Sequence, residues 1–128
     1  PGALELENIQ LLRGRPDWIM LQHAIAEYRK VLALEPGNKY AANNLGVALA
    51  ELRQFPEAEI ILREALRVDA QDFILFNLAL VLYRIYQETP ESMLKEEVLM
   101  LFRHYLQIAP SDPVAVQYLQ TLEQDECP

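Results

Sequence analysis

Apolar residues recur at intervals of three and four through most of the chain, the spacing that lines up one side of a helix. Between Pro16 and Leu34 they fall at Trp18, Leu21, Ala24, Ile25, Tyr28, Val31, Leu32 and Leu34. A shorter stretch before it, Ala3 to Arg13, carries Leu4, Ile9, Leu11 and Leu12 and is closed by Gly14. The same reading predicts helices from about Lys39 to Arg53, from Pro56 to Val68, and from Pro113 to about Gln124. From Asp72 to Gln87 the chain is apolar on most sides, and a helix of that kind is either buried or binds something. Periodicity alone also allows a strand over Phe73 to Leu82, but length, together with Asn77 and Ala79, decides for helix. Thr89 reads as an N-cap and Pro90 as the first turn of a further helix reaching Ile108.

The prolines sharpen these boundaries. Pro36 and Pro110 follow expected helix ends, where a helix cannot continue. Pro16, Pro56, Pro90 and Pro113 each suit a first helical position, where the missing N–H costs nothing. Asp17, Glu57 and Glu91 follow three of them, and acids favour a helix N-terminus. The turns Glu35-Pro36-Gly37-Asn38 and Asp69-Ala70-Gln71 separate helices, and Asp112 is placed to cap the last one.

Internal recurrence then groups the helices. Asn44-Leu45 returns as Asn77-Leu78, and Leu32-Ala33-Leu34-Glu35 returns as Leu66-Arg67-Val68-Asp69. A period near 34 with two helices per period indicates a helical-repeat array. The stretch resembles the tetratricopeptide repeat. Asn44, Leu45 and Gly46 stand at the family's Asn-Leu-Gly, Ala58 and Ala65 at its two small residues, and Leu62 at the aromatic place between them. Before it, Ala24, Tyr28, Leu34 and Pro36 match. After it come Asn77, Leu78 and Ala79, then Val98, Phe102, Ile108 and Pro110, where the second-helix register slips beyond the period.

The resemblance implies one all-α domain over 1–128, a right-handed solenoid of three helix pairs and a capping helix, seven helices in all. Repeat 1 spans about 5–38, repeat 2 about 39–71, repeat 3 about 72–112 with a longer second helix, and the cap about 113–124. That longer helix should project roughly 9 Å beyond its neighbours at 1.5 Å per residue. Each pair buries its apolar face only by stacking, and the polar tail Gln120, Glu123, Gln124, Asp125 and Glu126 covers the end.

Chemistry-bearing residues are sparse. His23 and His104 have no Cys or His at ligand spacing, so no metal site and no cofactor is expected. Cys127 has neither a basic neighbour nor a partner base, Ser92 and Ser111 sit where helices start, and no phosphate loop is present. No catalytic residue follows, and an enzyme is not expected. Acids such as Glu57, Glu59 and Glu64 read as a solvated helix face. The net charge of −8 argues against nucleic acid and anionic lipid, both of which need clustered Lys and Arg. No apolar run reaches the length of a membrane span. One cysteine fits a reducing compartment, and a cytoplasmic location is the expectation. The start at Pro1 suggests a processed chain or a piece of a longer one.

What remains is a surface. In the family the first helix of each pair lines a concave groove that holds protein segments. Carried onto this sequence, the groove residues are Tyr40, Asn43, Asn44, Val47, Ala50 and Glu51, then Phe73, Phe76, Asn77, Leu80, Tyr83 and Arg84. Val114, Gln117, Tyr118 and Thr121 follow on the capping helix. Asn44 and Asn77 either clamp the backbone of an extended peptide or bridge adjacent helices. Of Phe73, Phe76, Tyr83 and Tyr118, some serve packing, but not all four can face the core. The family's clamp for acidic C-termini needs Lys and Arg where this chain has Val47, Phe73 and Asn77. The expected partner is therefore an apolar extended or helical protein segment, held with little dependence on salt. The alternative is self-association into a homo-oligomer.

Overall fold

The computed structural model describes residues 16–125, with side chains from Asp17 onward. Among the described residues there are six helices and no strand: α1 (Pro16–Leu34), α2 (Lys39–Glu51), α3 (Phe55–Val68), α4 (Asp72–Glu88), α5 (Ser92–Ile108) and α6 (Pro113–Gln124). The expected helix over Ala3 to Arg13, and Cys127, lie outside the described residues. Phe73 to Leu82 is helical, as its length and composition required. The chain divides between Val68 and Asp69 into two compact units.

In unit 1, α1 packs on α2 and α2 on α3. α2 is rich in small residues, and Ala41, Ala42, Gly46, Ala48 and Ala50 are all buried. They let α3 approach closely enough for Phe55, Ala58 and Leu62 to fill the interface, each at most 2 % exposed. Asn38 starts α2 by accepting hydrogen bonds from the N–H groups of Tyr40 at 3.1 Å and Ala41 at 3.0 Å, the donors that every helix start leaves orphaned. Leu34, expected on the apolar side of α1, is 85 % exposed because it is the last residue of its helix.

Two boundaries differ from expectation. The helix expected to reach Arg53 ends at Glu51. Arg53 has φ 61°, the left-handed position that usually takes glycine. There its N–H donates to Ala50 O at 2.9 Å and the next N–H, of Gln54, to Leu49 O at 2.9 Å. The Arg53 guanidinium also lies 5.2 Å over the Phe55 ring. α3 then begins at Phe55, so Pro56 is its second residue.

In unit 2, α4 packs on α5 and α5 on α6. The larger correction is here. Thr89 does not start a helix; it ends one. Its N–H and its hydroxyl both donate to Ile85 O, at 2.9 and 3.1 Å, closing α4, and Pro90 lies in the linker before α5. The slipped register is thus shared between both helices of the pair. α4 and α5 have 17 residues each, against 13 in α2 and 14 in α3, so α5 is no longer than the helix it packs against.

Asp112 caps α6 as expected. One carboxylate oxygen accepts from the N–H groups of Val114 at 3.0 Å and Ala115 at 3.4 Å, and the other accepts the Tyr105 hydroxyl proton at 2.6 Å. The Tyr105 bond holds the Asp112 carboxyl below its ordinary 3.8, and the same bond pushes the Tyr105 phenol up to about 12 from 10.0. The signs are opposite. Asp112 adds stability that is present above pH 3.8 and is lost as pH falls through its lower folded value. Tyr105 adds stability that is present below pH 10 and is lost as pH rises towards 12. Asp112→Asn keeps a capping oxygen but no charge. Thermal melts should show the wild type losing more melting temperature than Asp112→Asn between pH 5 and 3, and again between pH 10 and 12. Equal losses in both proteins would contradict the linkage.

Candidate peptide-binding face

The residues expected to line a groove fall on both units. On α2, Tyr40 is exposed, with the Lys39 ammonium 5.5 Å over its ring. Asn44 is exposed, Val47 is half-buried, and Asn43 is buried, so Asn43 is set among packed side chains rather than on a surface. On α4, Phe73, Phe76, Asn77, Leu80 and Tyr83 are half-buried and Arg84 is exposed.

The aromatic residues of unit 2 sort into two roles. Phe76 meets Tyr105 at 5.1 Å and stands edge-on to Phe102 at 6.1 Å, so it packs against α5. Tyr118 stacks flat on Phe102 at 5.5 Å and 5°. Tyr83 meets Tyr118 edge-to-face at 5.1 Å. Such rings attract because the positive edge of one meets the negative face of the other. Tyr105, Phe76, Phe102, Tyr118 and Tyr83 therefore form one continuous chain of ring contacts that leads from inside α5 to a surface. At its end Tyr83 and Tyr118 line a hollow of about 330 Å³ with Val114, Gln117 and Thr121. The expected positions on α4 and on the capping helix meet there.

A second hollow, of about 510 Å³, shares Tyr83 and Thr121 and continues along the same face past Tyr86 and Leu122 to Asp125. The Tyr86 hydroxyl donates to the Asp125 carboxylate at 2.6 Å, and the Lys95 ammonium donates to the Asp125 backbone carbonyl. Tyr86 and Asp125 were not among the expected groove residues. Tyr86 follows Tyr83 by three positions on one helix, so it projects from the same side, and that spacing was the signal for it.

Unit 1 has a hollow of about 360 Å³ that the sequence did not indicate, lined mainly by Leu32, Pro36, Ala42, Ile61, Ala65 and Val68. Its lining comes from the end of α1, the start of α2 and one side of α3, and it includes none of the expected groove residues. Ile60 and Val68 stand at 68 % and 55 % exposed.

Several acids are held in surface ion pairs. Glu57 meets Arg29 at 2.7 Å, Glu59 meets Arg63 at 2.8 Å, and Glu64 meets Arg67 at 2.5 Å. The Arg67 hydrogen bond holds the Glu64 carboxyl below its usual value. Pairs of this kind contribute little, because water and salt screen them. His23 is exposed on α1 and His104 on α5. No group of three or more His, Cys, Asp or Glu among the described residues could hold a metal ion. No helix among the described residues is long and apolar enough to cross a membrane.

No curated protein matches the chain. The family model described as tetratricopeptide repeat matches residues 20–80. The match takes in Asn44-Leu45-Gly46, Ala58, Leu62, Ala65 and the returning Asn77-Leu78, the residues that build the α2–α3 pair and open α4. Repeats of this family generally mediate protein–protein interaction. Over these residues the chain is thus similar to the tetratricopeptide repeat family.

Proposed function

We propose that the chain is a non-catalytic interaction module, and that an apolar segment of a partner protein seats on the α4/α6 face of unit 2. One observation carries this: Tyr83 and Tyr118 form an aromatic corner that lines a surface hollow beside Val114, Gln117 and Thr121. A large apolar side chain placed against such rings gains on the order of 1.5–3 kcal/mol if fully buried. Gln117 and Thr121 offer donors and acceptors for a peptide backbone.

The experiment is selection of 12-residue peptides from a random displayed library. The wild type should enrich sequences with a Leu, Phe or Trp anchor. Tyr83→Ala and Tyr118→Ala should each weaken the selected peptides about tenfold, while Arg84→Ala leaves them nearly unchanged. Melts run alongside separate lost binding from lost folding. If Arg84→Ala were the worst variant, the ligand would be an anionic motif and the proposal would be wrong.

A second reading, self-association, is favoured by the unit 1 hollow with exposed Ile60 and Val68 beside it. Light scattering across a concentration series decides it. A constant monomer mass removes this reading; a dimer that Ile60→Glu dissolves supports it.

A further inference from the structure

The hollow that ends at Asp125 has an electrostatic character unlike the aromatic corner beside it. α4 ends at Glu88 and α6 at Gln124, and residues from both final turns line this one hollow. A helix C-terminus carries partial negative charge on carbonyls that lack intrahelical partners. Lys, Arg or His in the last turn can offset it, and neither α4 nor α6 has a basic residue there. Carboxylates add to the field. Asp125 is in the lining, and Glu88 and Glu91 flank the α4 end in sequence. One ammonium, that of Lys95, is already drawn to this place and donates to the Asp125 carbonyl. The Asp125 carboxylate accepts the Tyr86 proton at one oxygen, and an ionised carboxylate has acceptor sites beyond that bond. Over residues 69–125 the bases are Arg84, Lys95 and Arg103, against nine acids.

We propose that the partner segment carries a Lys or Arg beyond its apolar anchor, and that this side chain occupies the Asp125 hollow between the two helix ends. The proposal rests on the α4/α6 face being the binding face. The chemistry follows from the lining. Tyr83, Tyr86 and Leu122 can cover the aliphatic stem of such a side chain, while its charged head meets the carboxylate and the helix termini. The recognised charge is thus the opposite of the acidic C-termini considered from the sequence, and a salt-sensitive increment is added to an apolar anchor.

The test uses synthetic 12-residue peptides with one Phe anchor in a Ser/Gly/Ala background, with Lys, Ser or Glu placed at each other position in turn. Binding is titrated at 50 and 500 mM NaCl. In one narrow register Lys should bind about fivefold or more tighter than Ser, and Glu weaker than Ser, at low salt. The Lys advantage should shrink at high salt, where the screening length falls to a few ångströms. Asp125→Asn, which keeps an acceptor for Tyr86, should remove most of the Lys advantage and leave Phe-anchored binding in place. Lys95→Gln should increase the advantage by removing a competing cation. Phe peptides that bind equally with Lys and Glu would overturn the inference alone. So would a Lys advantage that survives in Asp125→Asn. Failure of every Phe peptide to bind would overturn the α4/α6 face itself, and the cation site with it.

Discussion

Gly46→Leu is expected to cost unit 1 its α2–α3 packing and most of its native helix. A Cβ built at Gly46 would lie 2.6 Å from Leu62 Cγ and 2.8 Å from its Cδ2. Atoms do not approach that closely, and Leu62 has no space to retreat into because it is 0 % exposed. Overpacking by even one methyl group costs typically 1–3 kcal/mol. Alanine would return about 1 kcal/mol of helix propensity over glycine. Gly46→Ala should therefore be destabilising by less than its clash alone, while leucine adds three more carbons to a full site. Circular dichroism melts of the whole chain should show Gly46→Ala with a lowered transition and Gly46→Leu with a large loss of helix at room temperature. A double-mutant cycle isolates the cause. In a Leu62→Ala background Gly46→Ala should become neutral or stabilising, since the contact that penalises it is gone. An undiminished penalty there would show that something other than Leu62 excludes a side chain at 46.

This pair explains why so much of the fold was legible. Asn44-Leu45-Gly46 stood out in the sequence because a small residue must face a large one across α2 and α3, and Leu62 sits at the place the repeat reserves for it. Asp112 and Pro113 were equally legible, since a cap and a first-turn proline act locally and leave little freedom. Pro90 misled for a physical reason. A proline after a possible capping residue also suits the linker behind a finished helix, and Thr89 can serve α4 through its own hydroxyl as well as it could have served α5. Only the tertiary fit of α4 against α5 chooses between them. Arg53 was missed because its left-handed backbone is usually glycine's, and nothing local in Leu52-Arg53-Gln54 announces the exception.

The candidate site was legible in part. Tyr83 and Tyr118 were placed on one surface from the repeat register, and the structure brings them into contact. Asn43 was not separable from Asn44 by sequence, because neighbouring residues on a helix point about 100° apart and a small error in register exchanges surface for interior. By sequence alone Asp125 belongs to the polar cover of an exposed end. Its contact with Tyr86 spans 39 residues, a separation over which local pattern carries no information.

The two units solve the same packing problem with different side chains. Where unit 1 sets Gly46 against Leu62, unit 2 has Ala79 and Phe102 at the corresponding places of the next repeat. Both are 0 % exposed. The larger ring does more than fill space, since it is also the centre of the aromatic chain. Phe76 packs against it at a steep angle, Tyr118 stacks on its face, and Tyr83 is reached through Tyr118. The shape of the α4/α6 face is thus set from inside the core.

Phe102→Ala should therefore have two effects. Truncating a buried Phe costs about 3–5 kcal/mol through lost transfer energy and the cavity left behind. For a chain of this size that corresponds to a fall in melting temperature on the order of 10–20 °C. The second effect is on the face. With its stacking partner gone, Tyr118 has no ring to hold its orientation, and Tyr83 loses a fixed edge to meet. Selected Phe-anchored peptides should bind several-fold more weakly at temperatures well below the melt. Phe102→Leu separates the two effects. It refills most of the volume and should cost less stability than alanine, yet it offers no ring for Tyr118. If the coupling runs through the rings, Phe102→Leu should recover most of the melting temperature and little of the peptide affinity. Tyr83→Ala should show the reverse balance: weak binding and a small change in melting temperature, because an aromatic pair contributes only about 0.5–1.5 kcal/mol beyond its burial. Full recovery of affinity in Phe102→Leu would mean that Tyr118 is positioned by α6 alone and that the aromatic chain has no part in shaping the site.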